Sequence, residues 1–125
     1  MELLVRSGRP ITDSLLTLVP EAFREQPLLE NQLDIQAFYE FSACTQEPWD
    51  GPALLVFSDG CSVGATLDRN GLRPARYCIT NDGFVVMGSE TGVVEIEESR
   101  IVEKGRLGPG QMLAVDLENG RLLRN

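Results

Sequence analysis

At 125 residues the chain is sized for one domain. A domain of this length buries about two-thirds of the surface of its unfolded chain, so a packed core needs neither metals nor disulfides. Hydrophobic residues make up 42%, and 19 acids against 11 bases give a net charge of −8, a balance that disfavours nucleic acid and anionic membrane surfaces as partners. No apolar run approaches the ~20 residues that cross a bilayer. The opening Met1–Arg6 lacks the basic and long apolar segments of a signal peptide, so the expected compartment is the cytoplasm.

The helical signals come first. Ile11, Leu15, Leu18 and Val19 recur at three- and four-residue steps and predict a helix over Pro10 to Leu18, with Thr12 or Asp13 as its N-cap. Pro20 interrupts, Glu21 to Arg24 is expected to start a turn or a short helix, and Gln26-Pro27 reads as a break. A second helix is predicted from about Asn31 to Cys44, capped by Asn31, with Asp34 near its N-terminus. Leu33, Ala37, Phe38, Phe41 and Cys44 would share its buried face. Residues 1–48 are thus mainly helical and 49–125 mainly antiparallel β, in a single α+β unit.

Glu47 to Pro52 is a loop by its prolines and glycine. Ala53 to Phe57 follows as a continuous apolar strand, expected to be buried on both faces, so that Leu55→Asp would strand a charge in the core. Ser58-Asp59-Gly60 turns the chain into the alternating Cys61, Val63, Ala65 and Leu67. Asn70-Gly71 marks a sharp turn, Ala75 to Thr80 returns as a strand, and Asn81-Asp82-Gly83 leads into Phe84 to Met87. Val93 to Ile96 and Met112 to Val115 read as further short strands. Glu118-Asn119-Gly120 closes a last hairpin onto Arg121 to Leu123. Two helices followed by an antiparallel meander are expected.

The chain holds no histidine, which excludes a Ser-His-Asp or Cys-His nucleophile within it. Cys44, Cys61 and Cys78 are too widely spaced for a C-x-x-C zinc or redox motif and are odd in number, against a disulfide framework. They are expected as small buried or half-buried side chains. Gly105 to Gly110 lacks the Lys-Ser/Thr of a phosphate-binding loop and reads as a turn.

Several ordered blocks carry more than propensity. Asp50 to Gly60 runs into Val63-Gly64-Ala65-Thr66-Leu67-Asp68-Arg69-Asn70-Gly71-Leu72-Arg73-Pro74-Ala75-Arg76-Tyr77. With Glu2 to Arg9, Val19 to Ala22, Glu47 to Pro52 and Gly105 to Met112, this closely resembles the C-terminal part of the class II glutamine amidotransferase domain of glutamate synthase large subunits, the N-terminal-nucleophile type. The resemblance covers essentially all 125 residues. It implies part of an αββα sandwich, and hydrolysis of glutamine to supply ammonia for reductive synthesis of glutamate from 2-oxoglutarate. FMN and an iron–sulfur cluster are implied for the full-length enzyme, and none for this chain.

The family's nucleophile is a cysteine at the mature N-terminus, whose own α-amino group acts as base and replaces a histidine. The chain opens Met1-Glu2, and Cys44, Cys61 and Cys78 have ordinary peptide nitrogens. The family's substrate-binding motifs lie upstream of the block at Glu2. The expectation is a chain inactive alone, partnered by the remainder of a glutamate synthase polypeptide or by a complementing subunit, and binding glutamine only in the completed domain. The other reading is a non-catalytic scaffold or interaction module derived from that domain. No catalytic or metal-binding residue is assigned. Asp68, Arg69, Asn70, Gly71 and Arg73 either border the glutamine pocket or fix a turn, with Asp68 pairing with Arg69 or Arg73. Trp49 and Asp50 are either a loop anchor or a pocket edge.

Overall fold

The computed structural model describes all residues from Met1 to Asn125. Its elements are α1 (Glu2–Arg6), α2 (Ile11–Leu18), a 3₁₀ turn (Pro27–Leu29), α3 (Leu33–Thr45), then β1 (Leu54–Ser58), β2 (Ser62–Leu67), β3 (Arg76–Thr80), β4 (Val85–Gly88), a 3₁₀ turn (Glu98–Arg100), β5 (Ile101–Arg106), β6 (Met112–Asp116) and β7 (Arg121–Arg124). Mixed helix and antiparallel sheet is therefore the fold class. The strands do not form one meander: β1-β2-β6-β7 make one sheet and β4-β3-β5 another. The chain leaves β2, builds the whole second sheet, and returns to pair β6 with β2.

Two apolar clusters hold three layers together. Ile11 and Leu15 of α2 pack on Phe57, Met112 and Ala114, which occupy one face of the four-stranded sheet. On its other face, Leu67 and Leu113 meet Ala75 and Leu107, with Tyr77, Val85 and Met87 of the second sheet packed against them. Register explains a glycine in mid-strand: Gly64 stands opposite Phe57 and Ala114. A Cβ at Gly64 would lie 2.7 Å from the Phe57 ring and 2.6 Å from the Leu113 carbonyl, so the ring fills the place of a side chain.

The helices depart from expectation in instructive ways. The N-cap of α2 is Pro10, not Thr12 or Asp13. Thr12 and Asp13 are already inside the helix, where Ser14 and Thr17 hydroxyls donate back to the Pro10 and Asp13 carbonyls at 3.0 and 2.8 Å. The helix stops before Pro20, whose ring disfavours helical geometry in the preceding Val19 (φ −129°). No helix forms over Glu21 to Arg24; the chain turns at Arg24 and Glu25, and Glu25 takes φ 57°. Pro27, expected as a break, opens the 3₁₀ turn that buries Leu29.

The second long helix starts at Leu33 after Gln32, not at Asn31, and buries a different face. Leu33 and Phe41 are 72% and 59% exposed and Cys44 is exposed, whereas Tyr39 and Ser42 are buried. Polar contacts set this rotation. The Tyr39 hydroxyl donates to Glu21 Oε1 at 3.0 Å, its ring stacks on Phe23 at 5.0 Å, and Ser42 Oγ lies 3.4 Å from Thr17 Oγ1. Burial, then the charge and hydrogen bond of Glu21, push the Tyr39 hydroxyl well above its ordinary pKa, which keeps it a donor.

Three strand expectations also change. The first strand is not buried on both faces: β1 is an edge strand, with Val56 72% and Leu55 37% exposed. Leu55→Asp should therefore cost less than about 1 kcal/mol in a thermal melt. A loss above about 3 kcal/mol, the cost of stranding a charge inside, would contradict the edge placement. Val93 to Ile96 is not a strand; β5 takes the place beside β3 instead. The sequence pattern does not announce β5, because its half-buried positions are Ile101, Glu103 and Gly105. Of the cysteines, Cys78 is half-buried, while Cys44 and Cys61 are exposed rather than buried.

Candidate functional site

The residues singled out by sequence gather where three loops meet: 49–53, 68–74 and 108–111. Asp68 organises the meeting. It is 1% exposed at the end of β2, and its carboxylate accepts from the backbone N–H groups of Ala53 (3.1 Å), Asn70 (3.0 Å) and Leu72 (3.5 Å). Its main chain adds three more bonds: its N–H donates to Ala53, and its carbonyl accepts from Gly71 and Gly110 at 3.0 and 2.9 Å. An Asp two residues ahead of Asn-Gly suits this geometry, since a short carboxylate can bond its own backbone two residues on. Gly71 takes φ 63°, and a Cβ there would meet Pro109 Cγ at 2.8 Å.

The expected ion pair of Asp68 with Arg69 or Arg73 does not form. A carboxylate enclosed by main-chain donors has no open side for a guanidinium. Arg69 reaches instead to Asp50, with Nη2 3.0 Å from Oδ2, and Arg73 makes no ion pair. The Arg69–Asp50 pair is exposed, so its contribution to stability is small. Burial pushes the Asp68 carboxyl up, and the backbone N–H groups of Ala53, Asn70, Leu72 and Arg73 outweigh it and hold it below its ordinary value.

Trp49 and Asp50 join the same cluster from the other side. The Trp49 N–H donates to the Leu18 carbonyl at the end of α2 (2.6 Å), and its Nε1 donates to the Gly51 carbonyl (3.2 Å). Its indole stays 57% exposed. Asn70 and Arg73 also face outward. Opposite them, Gly108 N–H donates to Gln111 Oε1 at 2.7 Å, so Gly105 to Gly110 is the end of β5 and a side-chain-closed turn.

Sequence reasoning missed a second polar network. Tyr77 donates to Glu103 Oε1 at 2.8 Å, and Arg124 donates to both Glu103 oxygens at 2.8 and 2.9 Å. The Arg124 guanidinium also sits 5.7 Å from the Tyr77 ring centre, so the network ties β3 and β5 to β7 across the two sheets. The Tyr77 hydrogen bond, then that of Arg124, hold the Glu103 carboxyl below its usual range. A Cβ at Gly105 would lie 2.4 Å from Tyr77, so glycine opposite tyrosine was the available signal.

The loops meet in a junction closed by main-chain hydrogen bonds to Asp68. None of the three cysteines approaches it as a partner. The neighbouring Glu118 carboxylate pushes the Cys61 thiol up, against the direction a nucleophile needs. No group of three or more His, Cys, Asp or Glu side chains stands close enough to hold a metal ion. These residues do not fit an iron–sulfur cluster. No helix is long and apolar enough to cross a membrane.

A two-sheet scaffold with a helical layer matches a known domain type along its whole length. Residues 1–125 match the family model of the class-II glutamine amidotransferases, and the chain belongs to that family. It is 60% identical over 125 residues to the ferredoxin-dependent glutamate synthase 2 of Synechocystis sp., and 58% identical to the ferredoxin-dependent glutamate synthase of Antithamnion sp.. It is 54% identical to the chloroplastic ferredoxin-dependent glutamate synthase of Oryza sativa. These alignments cover 99–100% of this chain and 8% of each relative, so the chain spans a small part of the relatives it matches. The resemblance carried by the ordered blocks is borne out.

Proposed function

We propose that this chain is the C-terminal scaffold portion of the glutamine-hydrolysing domain of a glutamate synthase, and that the attacking cysteine lies outside it. The observation that carries the reading is the family match over residues 1–125 together with 60% identity to a glutamate synthase along the whole chain. Three internal cysteines support the second half. Each has its nitrogen in a peptide bond, and that of Cys61 donates to Asp59, so none joins a thiol to a free α-amine.

In this reading the two stacked sheets and the helical layer are three of the four layers of an αββα sandwich, and residues 1–125 form a single partial domain. The Asp68 junction fixes the loops of one end, with Arg69, Asn70, Gly71 and Arg73 serving the turn and Trp49 and Asp50 anchoring the neighbouring loop. The completed domain binds glutamine and releases glutamate and ammonia. The rest of the polypeptide supplies FMN and an iron–sulfur cluster for reduction of 2-oxoglutarate with that ammonia, in the cytoplasm or, as the name of the rice relative suggests, in a chloroplast. The relatives' names favour ferredoxin as electron donor.

Replacing Cys44, Cys61 and Cys78 together by serine in the polypeptide that carries this chain should leave glutamine hydrolysis within about twofold of the parent. A loss of a hundredfold or more, with the fold intact by circular dichroism, would assign the nucleophile to this chain. Catalysis by the 125-residue chain alone would do the same. The second reading, a non-catalytic interaction module, gains if that polypeptide hydrolyses no glutamine at all.

A further inference from the structure

Five pairs in the chain place Asn or Asp directly before glycine: Asn70-Gly71, Asn119-Gly120, Asp50-Gly51, Asp59-Gly60 and Asp82-Gly83. Such a pair can react with itself. The glycine nitrogen, unhindered by a side chain, attacks the carboxamide carbon of the preceding asparagine and expels ammonia, closing a succinimide ring. Water then opens the ring at either carbonyl and leaves aspartate or isoaspartate where asparagine stood. The nitrogen attacks after losing its proton, so a glycine N–H held in a hydrogen bond is a poor nucleophile.

The fold sorts these pairs by where each glycine N–H goes. Gly71 donates to the Asp68 carbonyl at 3.0 Å, Gly83 to the Thr80 carbonyl at 3.1 Å, and Gly60 to Ser58 Oγ at 3.3 Å. Gly51 has no such acceptor, but Asp50 is an anion held by Arg69 at 3.0 Å, and a carboxylate resists attack. The Gly120 N–H also makes no hydrogen bond, and the residue before it is a neutral carboxamide. Asn70 and Asn119 thus share a motif, exposure and a positive glycine φ (63° and 61°), and differ in their surroundings. The Asn70 turn is closed by the buried Asp68 and packs Gly71 against Pro109. The Asn119 turn is a hairpin tip held by one exposed carboxylate. Asp116 accepts there from the N–H groups of Glu118 and Asn119 at 3.1 Å, and from Asn119 Nδ2 at 2.7 Å. Exposed contacts at a loop tip open far more readily than a junction seated on a buried side chain.

We propose that Asn119 is a site of spontaneous deamidation through a succinimide formed with Gly120, and that its junction protects Asn70 from the same reaction. The product changes the hairpin. The carboxamide that donates to Asp116 becomes a carboxylate beside Asp116 and Glu118, where like charges repel. That donation is the leading cause holding the Asp116 carboxyl below its ordinary value, and it is lost. The isoaspartate form also routes the main chain through the side-chain carbon, which lengthens the link between β6 and β7. The last residue of β7 is Arg124, bonded to both Glu103 oxygens at 2.8 and 2.9 Å. The modification therefore reaches from the hairpin tip to a contact between the two sheets.

The test incubates the purified native polypeptide that carries this chain at neutral pH and physiological temperature. Peptide mass spectrometry then follows the conversion of both Asn-Gly pairs with time. In the folded polypeptide Asn119 should convert about tenfold faster than Asn70 or more, since reaction at Asn70 must first break at least the Gly71 hydrogen bond. In the same polypeptide unfolded by denaturant the two rates should become comparable. No conversion at Asn119, equal rates in the folded polypeptide, or a ratio that survives unfolding unchanged overturns the proposal. Asn119→Asp, which installs one product directly, should speed hydrogen exchange across Arg121–Arg124. Unchanged exchange in that strand overturns the structural consequence.

Discussion

Asp68→Ala should lower the stability of the fold by about 3 kcal/mol, seen as a fall in melting temperature of about 10 °C or more. The side chain is 1% exposed and serves three backbone donors from two loops, so its loss leaves several N–H groups without partners. Asp68→Asn keeps one acceptor oxygen and should lose roughly half as much. The two variants also differ with pH. The folded carboxyl is held below its ordinary value, so its stabilisation is complete above the unfolded carboxyl value of about 4 and is lost as pH falls through the folded one. Asp68→Asn should flatten the acid limb of the stability curve. An alanine variant within about 0.5 kcal/mol of the parent would show that the junction does not depend on this carboxylate.

Leu15→Ala should cost about 2–5 kcal/mol in denaturant unfolding, the range for deleting a buried leucine where the site relaxes only in part. Leu15 is 1% exposed and packs from α2 into the cluster of Phe57, Met112 and Ala114. Because α2 otherwise meets the sheet through few residues, the same variant should expose β1 and β6 to faster hydrogen exchange. A cost below about 1 kcal/mol would mean that the helical layer is not seated on the sheet by this residue. The contrast with Leu55→Asp is the useful part: the two leucines are expected to differ several-fold, because Leu15 is buried between helix and sheet and Leu55 lies half-exposed on an edge strand.

How far the sequence speaks depends on where the controlling contact lies. Turn chemistry is local, and Ser58-Asp59-Gly60, Asn81-Asp82-Gly83 and Glu118-Asn119-Gly120 each join the antiparallel strands that the pattern assigns to them. The rotation of α3 is not local. Its apolar residues are spread around the helix, and Glu21 and Thr17, distant in sequence, choose Tyr39 and Ser42 for the interior. The strand β5 was hidden because its inward positions are filled by a glutamate that meets Tyr77 and Arg124 and by a glycine that makes room for the tyrosine ring. The site shows the same division. Asp68-Arg69-Asn70-Gly71 is legible as a turn, but the donors that Asp68 serves include Ala53, fifteen residues away, and the partner of Arg69 is Asp50. Both lie beyond the reach of spacing arguments.

The most direct measurement is to treat the native polypeptide that carries this chain with an electrophilic glutamine analogue and locate the modified residue by peptide mass spectrometry. Modification of a cysteine outside residues 1–125, with loss of glutamine hydrolysis in step with labelling, is the expected result. Stoichiometric, glutamine-protectable modification of Cys44, Cys61 or Cys78 would contradict it and place the chemistry within this chain.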